Sequence, residues 1–171
     1  MGIFFSEKFD TLDDLLLFEL EDLYDAESRL TEALPKMADA ASAPELKQAF
    51  HDHAMQTKRH VDRLRQAFQE LDHKPQRETC DAMKGLISEG ETVINADAGA
   101  AVKDAALIAA AQRVEHYEIA AYGSARTFAR RAGHPGVADL LQQTLDEEGE
   151  TDHRLTAIAE RQVNPSAAVA H

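Results

Sequence analysis

The sequence predicts an all-α protein, an antiparallel bundle of four long helices with one short extra helix. Alanine, leucine and glutamate are abundant, and all three favour helices. Glycine and proline, which interrupt helices, account for only 8 and 5 of the 171 residues. Apolar residues recur every three or four positions along most of the chain, which is the spacing of one helix face. Composition and spacing therefore agree on helix.

The first helix is predicted from Thr11 to Leu34. Thr11 and Asp14 have the spacing of a capping box, in which each side chain caps the backbone of the other. Pro35 should kink or end this helix because proline has no backbone N–H to donate. The apolar stripe of the helix is formed by Leu12, Leu16, Leu23, Leu30 and Leu34.

The second helix is predicted to begin after a cap supplied by Ser42 and Ala43, with Pro44 in its first turn. Lys74-Pro75 should end it. A shorter helix is predicted within residues 78–95. We interpret it as part of a crossover that joins the second and third long helices.

The third long helix is predicted over residues 102–131, because Gly133 is a typical left-handed helix stop. The last helix should cover residues 135–162. Residues 164–171 show no periodicity, and we expect them to be a disordered tail. We expect residues 1–163 to form a single domain, since a chain of this length fits one domain.

The charge balance argues against two classes of partner. The formal net charge is −13, from 18 Lys+Arg and 31 Asp+Glu. Such a field repels phosphate backbones and anionic lipids, so we expect no nucleic-acid or membrane binding. The chain lacks an apolar run of roughly 20 residues and a secretory signal pattern. Since the single cysteine, Cys80, cannot form an intrachain disulfide, we expect a cytoplasmic protein.

Polar side chains lie on the helix faces that should be buried. Helical projection places them within the apolar stripes of all four long helices. These residues are Glu27, His53, Thr57, His60, Glu115, Glu118, Glu148 and Asp152. One inward glutamate alone is typically a helix-edge side chain that reaches water. Several together, with too few inward Lys or Arg residues to neutralise them, favour a bound cation.

The ligand types point to particular metals. Carboxylates mixed with imidazole suit iron or manganese better than calcium, and a structural zinc site would normally include cysteines. Tyr24 and Tyr122 could be redox-active beside such a metal or could be ordinary core residues.

Four stretches of the chain resemble the bacterial YciE/YciF family, from about Phe9 to Ala159. They are Asp22-Leu23-Tyr24-Asp25-Ala26-Glu27, Asp104-Ala105-Ala106-Leu107-Ile108-Ala109-Ala110-Ala111-Gln112, Val114-Glu115-His116-Tyr117-Glu118-Ile119-Ala120 and Thr144-Leu145-Asp146-Glu147-Glu148. The resemblance implies a ferritin-like four-helix bundle with one long crossover, related to rubrerythrin and other di-iron carboxylate proteins. It also implies a stress-associated protein that is often a homodimer.

The resemblance also implies a metal ligand set. Rubrerythrin-like sites take Glu from the first helix, Glu-x-x-His from the second, Glu-x-x-Glu from the third and Glu-x-x-His from the last. Carried over to this chain, and with substitutes where the pattern fails, the implied ligands are Glu27, His53, Glu115, Glu118, Glu148 and Asp152.

This sequence departs from the family pattern on two helices. Gln56 stands where a bridging glutamate is expected, which leaves His53 as the main ligand of the second helix. Thr151 stands where a histidine is expected, and Asp152 is the nearest substitute. Glu150 with His153 is an alternative in a different phase, although both project away from the stripe. These departures leave open whether one or two ions bind.

Two kinds of function follow. The first is a protein that binds one or two ions of iron or manganese and acts on iron or on a small oxidant such as peroxide or dioxygen. The second is a non-enzymatic, dimeric scaffold or partner-binding stress protein with a structural or vestigial metal site. A DNA-protecting role is disfavoured by the charge of −13.

Overall fold

The computed structural model describes residues 8–169, and helices dominate them. They are α1 (Leu12–Ala40), α2 (Pro44–Glu70), α3 (Asp81–Ile94), α4 (Ala100–Ala132), α5 (Pro135–Ile158), a π-helical turn (Ala159–Val163) and α6 (Asn164–Ala168). No β-strand occurs within residues 8–169. The predicted all-α, ferritin-like four-helix bundle is confirmed, as is the short extra helix, α3, in the crossover.

The four long helices form a square in cross-section. Both α1 and α5 pack against α2 and α4, so α1 and α5 lie on one diagonal. The chain returns along the bundle through the crossover between α2 and α4, and α3 packs against α1 and α4. Neighbouring long helices therefore run antiparallel, and every one of them turns one face toward the centre.

The first helix continues through Pro35, contrary to the prediction that it ends or kinks there. Its capping box at Thr11 and Asp14 is present as predicted. Beyond Pro35, the helix buries Met37 and Ala38 in the core. This tertiary burial offsets the hydrogen bond that proline cannot donate, and α1 ends only at Ala40.

The start of α2 is capped by another helix rather than by Ser42. Ala43 is the N-cap residue and makes no side-chain cap. The buried Asp104 of α4 accepts hydrogen bonds from the backbone N–H groups of Ser42 and Ala43, both at 2.8 Å. The turn between α1 and α2 is thus fastened to the beginning of α4.

The remaining boundaries follow local chemistry. At α3 the N-cap residue is Cys80, whose Sγ accepts from the Met83 N–H at 3.3 Å. At the end of α4, Gly133 adopts the left-handed conformation with φ 94°, as predicted.

The tail after Val163 is more ordered than the sequence predicts. Residues 164–168 form α6, where we expected disorder, and residues 170–171 of that tail lie outside the described residues. Val163 and Ala159 in the π-helical turn are buried, and α6 packs against α4. Packing against α4 therefore stabilises α6, although its sequence has no helical periodicity. Pro165 is tolerated because it lies in the first turn.

The apolar core is divided into two clusters along the bundle. One includes Leu30, Phe50 and Leu155, and the other includes Leu23, Leu64 and Leu141. The inward polar residues occupy the level between these clusters. None of the helices within residues 8–169 is apolar over a stretch long enough to cross a membrane.

Asp104→Ala is expected to destabilise the fold by about 2–3 kcal/mol, because two backbone N–H groups lose a charged acceptor. Thermal or urea unfolding would measure the change. Asp97→Ala, at an exposed position just before α4, serves as the control. Equal stability of the two variants would show that Asp104 does not fasten the turn.

Candidate metal centre

Six buried side chains from the four long helices meet at the level between the two apolar clusters. Each is at most 2% exposed. They are Glu27 from α1, His53 and His60 from α2, Glu115 and Glu118 from α4, and Glu148 from α5. The spacing of seven residues between the histidines, and of three between the α4 glutamates, keeps each pair on one helix face.

The six side chains form two groups that share one residue. The first group is His53, Glu115, Glu118 and Glu148, and the second group is Glu27, His60 and Glu148. Within each group, one potential ligand atom per residue lies within 4.8 Å of the others. Glu148 belongs to both groups, and its Oε2 atom lies on the side of His53 whereas its Oε1 atom lies on the side of His60.

In the first group, one imidazole nitrogen faces the acids. His53 Nε2 lies 3.3 Å from Glu115 Oε1 and 3.8 Å from Glu148 Oε2. On the other side of the ring, His53 Nδ1 lies 3.5 Å from Thr151 Oγ1. The imidazole therefore points its Nε2 atom into the cluster.

In the second group, His60 uses the opposite nitrogen. His60 Nδ1 lies 2.9 Å from Glu148 Oε1 and 3.2 Å from Glu27 Oε1. The hydroxyl of the fully buried Tyr122 donates to Glu27 Oε1 at 2.6 Å. The hydroxyl proton of Tyr122 therefore lies between Tyr122 and the Glu27 carboxylate of the cluster.

Outside the second group, an ion pair reaches the surface. His60 Nε2 lies 2.8 Å from Glu147 Oε2. Arg63 donates to both oxygens of Glu147, at 2.9 and 2.7 Å. The Arg63 guanidinium holds the pKa of Glu147 at about 2, well below its ordinary range.

Many polar atoms in the cluster have no hydrogen-bond partner among the described residues, although such burial normally requires one. They include both oxygens of Glu118 and of Glu148, one oxygen each of Glu27 and Glu115, and the inward nitrogens of His53 and His60. Four buried carboxylates face two imidazoles, and no lysine or arginine is fully buried in the described part of the chain. These residues fit a site for a metal cation, since carboxylates and imidazoles are common metal ligands.

The pKa shifts reflect this excess of negative charge. Burial raises the pKa of Glu118 well above 4.5, and repulsion from Glu148 and Glu27 adds to the effect. Burial also raises the pKa of Glu27 and of Glu148, although His60 partly opposes the increase for both. In the absence of a metal, these three carboxyl groups therefore hold their protons more tightly than exposed glutamates do.

Both histidines are shifted toward the charged form. Burial alone would lower the pKa of His53, but the charges of Glu115 and Glu148 outweigh it and raise the pKa to about 9. Burial likewise opposes charge on His60, and Glu27 and Glu148 raise its pKa to about 10.

The structure brings together five of the six predicted ligands and leaves out Asp152. Asp152 accepts from Gln112 Nε2 at 3.0 Å and lies 3.4 Å from His116 Nε2, at the edge of α4. One turn beyond Glu148, Thr151 takes the inward position of α5, and Asp152 projects toward α4 instead. Glu150 and His153 are exposed, as their projection predicts.

His60 completes the cluster, although the predicted ligand set omitted it. The signal was present in the sequence, because His60 shares the apolar stripe of α2 with His53. The apolar stripe of one helix does not show which of its inward histidines faces carboxylates on the other helices.

The structure changes the interpretation of both departures from the rubrerythrin-like pattern, on the second helix and on the last one. Thr57 is fully buried on the face that carries His53 and His60, and Gln56 is only half-buried. The Glu-x-x-His pattern of the second helix therefore corresponds to Thr57-x-x-His60. Thr151 is buried beside His53. The imidazole of His53, from α2, therefore lies next to the position at which the pattern expects a histidine on α5.

Comparison with known proteins agrees with the resemblance noted in the sequence. Residues 11–168 match the family described as a domain of unknown function, DUF892. The chain is 46% identical over 158 residues to Protein YciF of Escherichia coli strain K12, covering 92% of this chain and 95% of that protein.

Solved structures show the same fold. The crystal structure of the E. coli stress protein YciF matches with a TM-score of 0.88 and 45% identity, covering 91% of this chain and 99% of that one. YcfI from Rhodopseudomonas palustris, described as a candidate structural protein, matches with a TM-score of 0.84 and 42% identity, over 90% and 98% of the two chains. A Xanthomonas campestris protein at 22% identity and a TM-score of 0.70, over 88% and 92%, shares the fold.

Glu118→Gln is expected to raise the stability of the metal-free protein by about 1–2 kcal/mol, because it removes a buried carboxylate that has no partner. The same variant should gain less stability from added manganese than the unmodified protein does. Thermal unfolding with a chelator and then with Mn²⁺ would measure both effects. Glu150→Gln, exposed on α5, is the control, and a loss of metal-free stability in Glu118→Gln would contradict the expectation.

The metal-free protein is expected to lose stability as the pH rises. A raised histidine pKa stabilises the fold fully below the ordinary value of 6.5, and this contribution is lost as the pH passes through about 9 for His53 and about 10 for His60. The raised glutamate pKa values act in the same direction, because ionisation costs more in the folded state.

Melting curves of chelator-treated protein across the interval from roughly pH 6 to pH 10 would test this expectation. The melting temperature should fall steadily over that interval and should fall less in the presence of Mn²⁺. A constant or rising melting temperature would show that the buried histidines do not carry these shifts.

Proposed function

The chain belongs to the DUF892 family of YciF-like proteins, and we propose that it is a stress-associated protein that binds one or two ions of iron or manganese inside its bundle. We further propose that it acts on iron or on a small oxidant such as peroxide or dioxygen. The name of the E. coli relative, a stress protein, supports the association with stress. The chemistry is argued from the buried cluster, because a shared fold does not identify a reaction.

One observation carries the proposal. Glu148 lies in both groups and is fully buried, and within the described part of the chain its oxygens meet only the two imidazoles, with no other hydrogen-bond partner. A carboxylate in that position is costly unless it meets cations, and two oxygens facing two groups suit a bridge between two ions. The first group would hold one ion and the second group the other.

The donor set favours a redox-active ion. It combines carboxylates with one imidazole in each group, which suits iron or manganese. The cysteine is not available as a thiolate, because burial raises the pKa of Cys80 to about 11. When bound, iron would supply one-electron chemistry toward dioxygen or peroxide, as the cofactor's own property.

The residues of the chain would hold the ions, exclude water and retain a proton. All six side chains of the two groups are at most 2% exposed, so bulk water is kept away from the cluster. The Tyr122 hydroxyl donates to Glu27, which keeps that carboxylate oriented and a proton next to the second group. No separate acid or base is required for binding.

Protein purified without added metal or chelator is expected to contain iron or manganese, at up to two ions per chain. A Glu115→Ala, Glu148→Ala double variant should contain almost none, because it removes ligands from both groups, including the shared one. Elemental analysis measures the content. Ferrous ion added to the metal-free protein in air should then consume dioxygen or peroxide only when Glu115 and Glu148 are present.

Asp152→Ala is the matched control on α5, since Asp152 lies outside both groups and should keep the full metal content. Helical content by circular dichroism verifies that each variant is folded. A folded, unmodified protein that contains no metal and takes none up would overturn the metal-binding proposal.

A groove beside the bundle favours a second candidate function, a dimeric or partner-binding scaffold. Between α3 and α4 lies an open groove of about 830 Å³, lined in part by Ala82, Leu86 and Ala109. The description of the R. palustris relative as a candidate structural protein is compatible with such a role. A metal-free protein that still folds and forms homodimers, without reacting with ferrous ion, would favour this function over the first.

A further inference from the structure

We propose that Glu147 is a positioning residue that orients His60 so that its Nδ1 atom faces the second group. This inference rests on the proposed metal-binding function and concerns how one of the two ions is held. Glu147 is a member of neither group of residues that would bind metal. Its effect is exerted through the imidazole ring.

Two consecutive residues of α5 have different tasks. Glu148 points into the centre and is fully buried, whereas the side chain of Glu147 is 24% exposed and turns toward α2. There it meets the far side of the His60 ring, 2.8 Å from Nε2. The imidazole is therefore held between an inner carboxylate pair and an outer carboxylate.

When His60 is neutral, as it must be to bind a metal, the outer ion pair decides which of its nitrogens carries the proton. Arg63 donates one hydrogen bond to each oxygen of Glu147 and a third to Thr144 Oγ1, so both oxygens of Glu147 act as acceptors. His60 Nε2 must then be the donor. In a neutral imidazole this leaves the Nδ1 lone pair free, directed at Glu27 and Glu148.

His53 lacks an equivalent charged support. Its outer nitrogen, Nδ1, faces the Thr151 hydroxyl at 3.5 Å, the long limit of a hydrogen bond. Thr151 donates its own proton to the backbone carbonyl of Glu147 at 3.0 Å, so it can only accept from His53. The two imidazoles thus present opposite nitrogens inward, and of these two, among residues 8–169, only His60 has a carboxylate against its outer nitrogen.

The two groups should consequently differ in their dependence on Glu147. Outer partners of metal-binding histidines typically contribute 10–100-fold to metal affinity, roughly, because they orient the ring and raise its basicity. Removal of Glu147 should weaken the ion at the second group by about that factor. The first group should keep its affinity, since its imidazole does not contact the Glu147 carboxylate.

Calorimetric and visible-absorption titration of the metal-free protein with Co²⁺ tests the proposal. The ion held by the second group is identified as the one that His60→Ala loses. Glu147→Ala should weaken that ion about 10–100-fold and leave the other unchanged. Glu147→Gln keeps an acceptor oxygen but not the charge, so its affinity for that ion should lie between those of the unmodified protein and of Glu147→Ala. Glu150→Ala, exposed on the same helix, should match the unmodified protein.

A second measurement does not depend on metal. In the metal-free protein, the Nε2 proton of His60 should exchange slowly with water and give a downfield proton resonance. That resonance should be absent from His60→Ala and from Glu147→Ala. A merely structural role of Glu147 would leave it in place.

The outcomes separate this proposal from the metal-binding function. If the unmodified protein binds no Co²⁺ and no other ion, the proposed function fails, whatever Glu147 does. If an ion is lost in His60→Ala but unchanged in Glu147→Ala, or if Glu147→Ala weakens both ions equally, the positioning role is overturned. Persistence of the His60 resonance in Glu147→Ala would overturn it as well.

Discussion

The constraint on which the rest of the structure depends is the burial of four carboxylates in the middle of an apolar bundle. Each of Glu27, Glu115, Glu118 and Glu148 is at most 1% exposed, and no lysine or arginine is buried with them in the described part of the chain. Charges in such surroundings cost several kcal/mol each unless they are compensated. The two buried histidines compensate only partly. These buried groups could therefore hold a metal ion, as we propose.

The apolar clusters above and below the polar level stabilise the fold and so offset the free-energy cost of burying the carboxylates. They lock the four long helices on both sides, so the helices cannot move apart to let water relieve the carboxylates. Asp104 adds a fastening at one end, between α4 and the turn that joins α1 to α2. In the proposed metal-binding role, this preorganisation would favour affinity, because the ligands would already be ordered when an ion arrives.

The arrangement of ligands differs from the rubrerythrin-like pattern in a consistent manner. Two threonines, Thr57 and Thr151, are buried at the positions where that pattern has a glutamate and a histidine. The imidazole comes instead from His53, so α2 contributes both histidines and α5 none. Glu148 is then the one carboxylate common to both groups. The relatives share this fold closely, but the chemistry of the site depends on these residues.

Local patterns in the sequence predicted the fold class, the number of long helices, the stop at Gly133 and five of the six side chains that meet in the buried cluster. Helix periodicity predicts which side of a helix is buried, because side chains three and four residues apart share a face. Periodicity does not reveal which residues of other helices lie opposite that face. Only the tertiary structure therefore included His60, excluded Asp152, carried α1 through Pro35 and paired Glu147 with Arg63 against the imidazole. Those contacts join residues more than eighty positions apart, or depend on packing that outweighs a local preference.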